Sequence, residues 1–198
     1  MMLLIAGLAL FFAIHLVPTN RPLRDGLAVR FGEMGYKGVF SIVALIGFVM
    51  IVLGFAKMQA MLGSKNPILW YPPTWTRHVA FTLMLPAMIL LVAAYIPSRI
   101  RAAVKHPMLV AIKIWALAHL LANGDVASIV LFGSFLAYAV YDRISLKHRG
   151  NMGAGGANAP VINDVLVVVL GLGLYAAMLF WGHAWLIGVP LVGGAGGT

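Results

Sequence analysis

Cysteine is absent from the 198 residues. That absence alone excludes disulfides, thiolate-ligated haem, iron–sulfur clusters and cysteine-type zinc sites. Acidic residues are nearly as scarce: five Asp and Glu stand against fourteen Lys and Arg, and charged residues of both signs make up only 10% of the chain. No carboxylate pair, glycine-rich phosphate loop, catalytic triad or zinc motif is present. The formal net charge of +9 would point to nucleic acid in a soluble chain. Here no basic patch is interleaved with exposed aromatics, so no nucleic-acid partner is expected.

What remains is hydrophobic: 62% of the residues, with a mean hydropathy of +0.98. The apolar residues gather into six runs, Met2–Val17, Gly38–Ala56, Trp75–Ile96, Pro107–Asn123, Val126–Tyr141 and Val165–Ile187. Each is near the ~20 residues an α-helix needs to cross ~30 Å of hydrocarbon. The expected fold is therefore all-α: a polytopic bundle of six transmembrane helices with short loops, its surroundings the lipid bilayer. Nothing outside the spans is long enough for a separate soluble core, so residues 1–198 are expected to form one domain. The first run has no basic stretch before it and no small-x-small cleavage pattern after it, which predicts a retained helix.

Positive charge is sorted between alternate gaps. Those after the first, third and fifth spans hold Arg21, Arg24, Arg30, Lys37, Arg99, Arg101, Lys105, Arg143, Lys147 and Arg149. The gaps after spans two and four, with both ends of the chain and the outer end of the third span, hold only Lys57, Lys65 and Arg77. Basic residues stay cytoplasmic, so the odd loops are placed inside and both termini outside. Trp70, Tyr71, Trp75, Trp181 and Trp185 then fall at outer ends, and Tyr36, Tyr95, Tyr138 and Tyr141 near inner ends, as interfacial belts require. Residues 23–31 carry apolar positions at helical spacing, which predicts an amphipathic helix on the inner surface. Residues 150–160, Gly-Asn-Met-Gly-Ala-Gly-Gly-Ala-Asn-Ala-Pro, read as a flexible linker without an apolar anchor, and residues 193–198 as a loose tail.

The spans hold almost no charge, which gives a proton or ion path little support. Lys113, within a span, lies close enough to the inner interface to snorkel. Asp125 is placed to cap the fifth span. Histidine remains. Stepping 1.5 Å per residue from the inner interface puts His15 at roughly 10 Å and His119 at roughly 18 Å, near the midplane. His78 and His183 come out at about 25 Å or more, at the outer interface. Facing imidazoles in a helical bundle are what a bis-histidine haem requires, and equally what an interhelical hydrogen bond uses. His119 shares a helix face with Ile112, Trp115 and Asn123, which offers an aromatic wall and a polar group behind a ligand.

Several stretches together resemble one family. They are Phe11-Phe-Ala-Ile-His15-Leu-Val-Pro18 with Leu23-Arg24, Gly32-Glu-Met-Gly-Tyr36-Lys-Gly38, Trp75-Thr-Arg-His78, Lys105-His-Pro107, Trp115-Ala-Leu-Ala-His119-Leu-Leu-Ala-Asn123-Gly-Asp125 and Phe132-Gly-Ser-Phe135. In order and without large gaps, these are similar to the NnrU family of bacterial membrane proteins, encoded beside nitric oxide reductase genes and related to the haem b enzyme zeta-carotene isomerase. The resemblance implies haem b, with iron held by His15 and His119, the pair His78 and His183 standing as the fallback. Trp115 and Asn123 would support the ligands. The plant enzyme's cysteine near the second histidine is Ala116 here, so no cysteine ligand exchange is available. Two functions follow from the resemblance. One is a haem protein of the inner membrane, acting in nitrogen-oxide (denitrification) metabolism or as an isomerase or oxidoreductase on an apolar substrate in the bilayer. The other is a non-enzymatic accessory protein for a respiratory complex or nitric oxide reductase, its histidines structural.

Overall fold

The computed structural model describes residues 1–153 and 155–192, and the expected loose tail, 193–198, lies outside the described residues. All regular secondary structure among the described residues is helical: α1 (Met2–Leu16), a 3₁₀ turn (Val17–Thr19), α2 (Arg21–Gln59), α3 (Thr74–Ala93), α4 (Arg99–Val104), α5 (Pro107–Ala122), α6 (Val126–His148), α7 (Val161–Ala177), one π-helical turn (Met178–Gly182) and α8 (His183–Ile187). Among the described residues five stretches are long and apolar enough to cross a membrane: Met2–Thr19, Arg21–Gln59, Thr74–Ala93, Val126–His148 and Val161–Ile187. The remaining expected span is the short one. α5 has 16 residues, because Pro107 begins it and Asn123, with an extended backbone, ends it. At 1.5 Å per residue it covers ~24 Å. The amphipathic segment is helical, but continues into the second span as part of α2; the break is one residue, Gly32, with φ 73° and ψ 155°.

Two compact units make up the chain, Met1–Ile68 with Asp125–Ser134, and Leu69–Gly124 with Phe135 onward. In the first unit α1 lies against α2 through glycine. A Cβ at Gly7 would stand 2.7 Å from the Ile51 amide nitrogen, one at Gly47 2.8 Å from that of Phe11, and one at Gly54 2.5 Å from that of Leu4. With little hydrophobic drive between helices in lipid, such backbone approach is where dispersion is gained. Leu4, Leu8, Ile51, Phe55 and Met58 form the core, and Phe55 meets Phe132 edge to face at 5.9 Å. Ile42, Leu45 and Leu53 are more than half exposed, as on a helix that meets acyl chains. Before the break at Gly32, Arg24 pairs with Asp25 and Glu33 and lies 5.4 Å from the Tyr36 ring centre.

Asp125 caps α6 as expected, with the Ser128 amide 2.9 Å from its Oδ1. It does more than that. Asn66 Nδ2 donates to the same oxygen at 2.7 Å and Gln59 Nε2 at 3.2 Å, while Ser128 Oγ donates to Oδ2 at 2.6 Å. Buried Asn66 in turn accepts the Ala127 amide at 2.9 Å. A buried carboxylate is costly unless saturated with donors, and this one is.

In the second unit, α3 packs on α5 and α7 through buried Ala80, Ala87, Ala93, Ala111, Ala116 and Ala118, and Gly171 of α7 meets the Ile89 backbone of α3. The carbonyl of Gly124 accepts the Leu69 amide at 2.8 Å. The described residues of the segment 150–160 form a loop, as expected, but they have anchors that the composition did not show. Gly153 (φ 100°) presses on the Lys105 backbone and Gly156 (φ 134°) on Ser98, which is buried and caps α4. Arg99 and Asp164 pair at 4.0 Å beside it, and Asn163 Nδ2 donates to the Pro97 carbonyl at 2.7 Å.

The glycine contacts separate variants cleanly. Gly47→Ala drives a methyl group into main-chain atoms and should lower stability by about 1–3 kcal/mol, read as a lower melting temperature in detergent. Gly38→Ala meets open space. It should leave melting unchanged or raise it by up to about 1 kcal/mol.

Candidate functional site

Polar side chains inside these helices turn back on their own backbone. Thr82 Oγ1 donates to the His78 carbonyl at 2.9 Å, Ser134 Oγ to that of Val130 at 2.6 Å, and Asn123 Nδ2 to that of His119 at 2.8 Å, each one turn earlier. Two histidines do the same. His15 Nδ1 lies 2.7 Å from the Phe11 carbonyl, and His119 Nδ1 lies 2.8 Å from that of Trp115. A carbonyl only accepts, so Nδ1 carries the proton and Nε2 carries the lone pair of the neutral ring. The aromatic residue one turn back also steadies each ring: Phe11 stacks on His15 at 4.0 Å and 24°, and Trp115 lies 5.3 Å from His119.

In the second unit His119 lines a cavity of about 380 Å³, within the range of small-molecule sites. Its walls are mainly apolar, with Phe81, Met84, Met88, Trp115, Tyr175 and Leu179, and its polar groups are Arg77, His119, Asn123 and His183. The His119 and His183 rings are 6.5 Å apart between centres and within 18° of parallel. His183 is fixed by a local device. One π-helical turn, Met178–Gly182, delivers it, and Gly188 in the left-handed conformation (φ 79°) then ends α8. The reversed chain places the Val189 carbonyl 2.7 Å from His183 Nδ1. His183 therefore holds the same tautomer as His15 and His119. Single π turns recur at functional sites because they re-aim one side chain without breaking the helix.

The expected residues thus fall as follows. His119 and His183, placed by depth in different layers, share one cavity, while His78 is exposed and does not line it. Of the fallback pair, His183 lines this cavity and His78 does not. His15 belongs to the first unit and His119 to the second. Trp115 supports His119 through its carbonyl as well as its ring. Asn123 serves the His119 carbonyl rather than its imidazole. Lys113 lies outside the cavity lining. Arg77, which reads in the sequence only as a charge at the outer end of the third span, also lines the cavity. Among the described residues no group of three or more His, Asp or Glu side chains is placed to hold a bare metal ion.

Apolar helices of membrane length, with a histidine-lined cavity in one helical unit, define a polytopic membrane protein. The chain belongs to the NnrU family, whose model, described as NnrU protein, matches residues 3–191. No curated protein and no solved structure matches it.

The tautomers are open to direct measurement. In ¹⁵N-histidine spectra of protein purified without haem, His15, His119 and His183 should report protons on Nδ1, whereas free histidine favours Nε2. The resonances are assigned by loss in the corresponding glutamine variants. Protons on Nε2 at these positions would contradict the carbonyl bonds.

Proposed function

We propose that this NnrU-family chain is a haem b protein of the inner membrane and that His119 is one of its axial ligands. One observation carries this reading: His119 sits in an apolar cavity with its Nδ1 committed to a backbone carbonyl, the arrangement that orients a metal-binding imidazole and raises its basicity. The lining suits haem b, with aromatic and thioether walls for the macrocycle and Arg77 as a cation for a propionate. When bound, haem would supply one-electron or Lewis-acid chemistry to a nitrogen oxide or to an apolar substrate in the bilayer. The chain's own residues hold and orient it and keep water out.

The second ligand has two candidates. The resemblance to the haem b isomerase names His15, which carries the same carbonyl-fixed tautomer as His119. The cavity itself names His183, whose ring faces that of His119 at 6.5 Å. Visible spectra of the purified protein, oxidised and dithionite-reduced, decide the matter. Wild-type protein should show a Soret band that shifts on reduction, and His119→Ala should abolish or shift it. Whichever of His15→Ala and His183→Ala has the same effect identifies the partner, while His148→Ala leaves the band unchanged. A colourless protein that also fails to take up added haemin would overturn the proposal and leave the accessory role, with structural histidines, in its place.

Orientation is part of the same reading. Loop charges place both termini outside, so reporter fusions near Ser64 and after Thr198 should read periplasmic, and those near Arg101 and Asn151 cytoplasmic. A cytoplasmic reading at the C-terminus would reverse the topology.

A further inference from the structure

A second cavity of the same unit has no part in the haem reading. It measures about 400 Å³, and its polar lining is Lys105, His106, Asp142 and Asn151. Two features there are costly, a strained turn and an unpaired buried nitrogen. Lys105 has φ 67° and ψ −52°, and the His106 amide donates to the Val104 carbonyl at 2.8 Å, which makes the rarer and strained form of γ-turn with a lysine at its centre. His106 bonds the main chain of Asn151, while its Nε2 is buried and has no hydrogen-bond partner. The bond to the main chain therefore falls to Nδ1, and Nε2 is an acceptor. Burial, then the neighbouring Arg143, lowers the His106 pKa below the ordinary histidine value, so the ring is neutral at pH 7. Asp142, paired with Arg149 at 3.2 Å, adds a second acceptor to the same wall.

The set of groups is mixed in a specific way. Lys105 is a cation, and Arg143 and Arg149 stand close by, so the site favours an anion. Yet two of its side chains, His106 and Asp142, offer lone pairs, which repel a fully deprotonated oxyanion. Sulfate has only acceptor oxygens. A hydrogen phosphate group has both: charged oxygens for Lys105, and a P–OH that donates to an acceptor. A buried acceptor left unpaired costs ~1–3 kcal/mol, which converts to a discrimination of roughly 5- to 160-fold.

We infer that the Lys105–His106 cavity is a binding site for a protonated phosphate group, inorganic or a monoester, which gives its P–OH proton to His106 or Asp142 in a hydrogen bond and its anionic oxygens to Lys105. The chemistry is shared by soluble phosphate and by the head group of phosphatidic acid, whereas phosphodiester lipids lack the P–OH.

The test is thermal stabilisation of the full chain in detergent at pH 7. Phosphate should raise the melting temperature in a saturable way, and sulfate or chloride at matched ionic strength should not. Lys105→Gly removes the ammonium and suits the φ of the turn, so it should keep the basal melting temperature and weaken phosphate binding at least tenfold. Asp142→Asn, which can donate, should let sulfate bind. Vesicles of phosphatidylcholine doped with phosphatidic acid or phosphatidylglycerol then separate the sources. Protection by phosphatidic acid alone assigns a lipid, and protection by inorganic phosphate in both lipids assigns a soluble ligand. Equal stabilisation by sulfate and phosphate, or an unchanged response in Lys105→Gly, would overturn the inference.

Discussion

A polar side chain on a helix within hydrocarbon has one partner always in reach, the carbonyl one turn earlier. Thr82, Ser134 and Asn123 use it, and so do His15 and His119. For a hydroxyl the bond ends the matter, because little polar capacity remains. For an imidazole it satisfies one nitrogen and assigns the lone pair to the other. The same bond that makes a histidine tolerable in the bilayer also leaves its other nitrogen able to accept or to coordinate. His183 reaches the same state by another route, through the π turn and the left-handed Gly188 that return the Val189 carbonyl to its ring.

Much of the fold was legible because bilayer thickness acts on the sequence through one variable, the length of an apolar run. Helix positions follow from that, and so does the cap at Asp125. The count of spans was less legible. Pro107 and Asn123 bound an apolar stretch that reads as a span by hydropathy, yet the helix between them is only 16 residues. Gly32 was the opposite case: a single positive φ divides the first segment of α2 from the rest, while the helix runs on through the charged Glu33 and Lys37 that read as a gap.

The candidate site was half legible. His119 and its aromatic neighbour stand out from spacing alone, but depth arithmetic put His183 in a different layer. It gives each histidine a height along its own helix and says nothing of which side chains packing turns toward one cavity. Close backbone approaches were invisible for a related reason. Gly47 and Gly38 look alike in the chain, and only packing shows that one faces the Phe11 backbone and the other faces space. The 150–160 loop reads as flexible from composition, and its anchors are backbone contacts that composition does not encode.

In the proposed function, two of these carbonyl-fixed imidazoles would hold a haem iron through Nε2. Electron paramagnetic resonance of the oxidised protein, grown with ¹⁵N-histidine, addresses it most directly. The expected spectrum is low-spin ferric, with two histidine nitrogens coupled to the iron in the pulsed experiment and one in His119→Ala. A high-spin ferric signal with a single histidine nitrogen in the wild type, unchanged in His119→Ala, would contradict it.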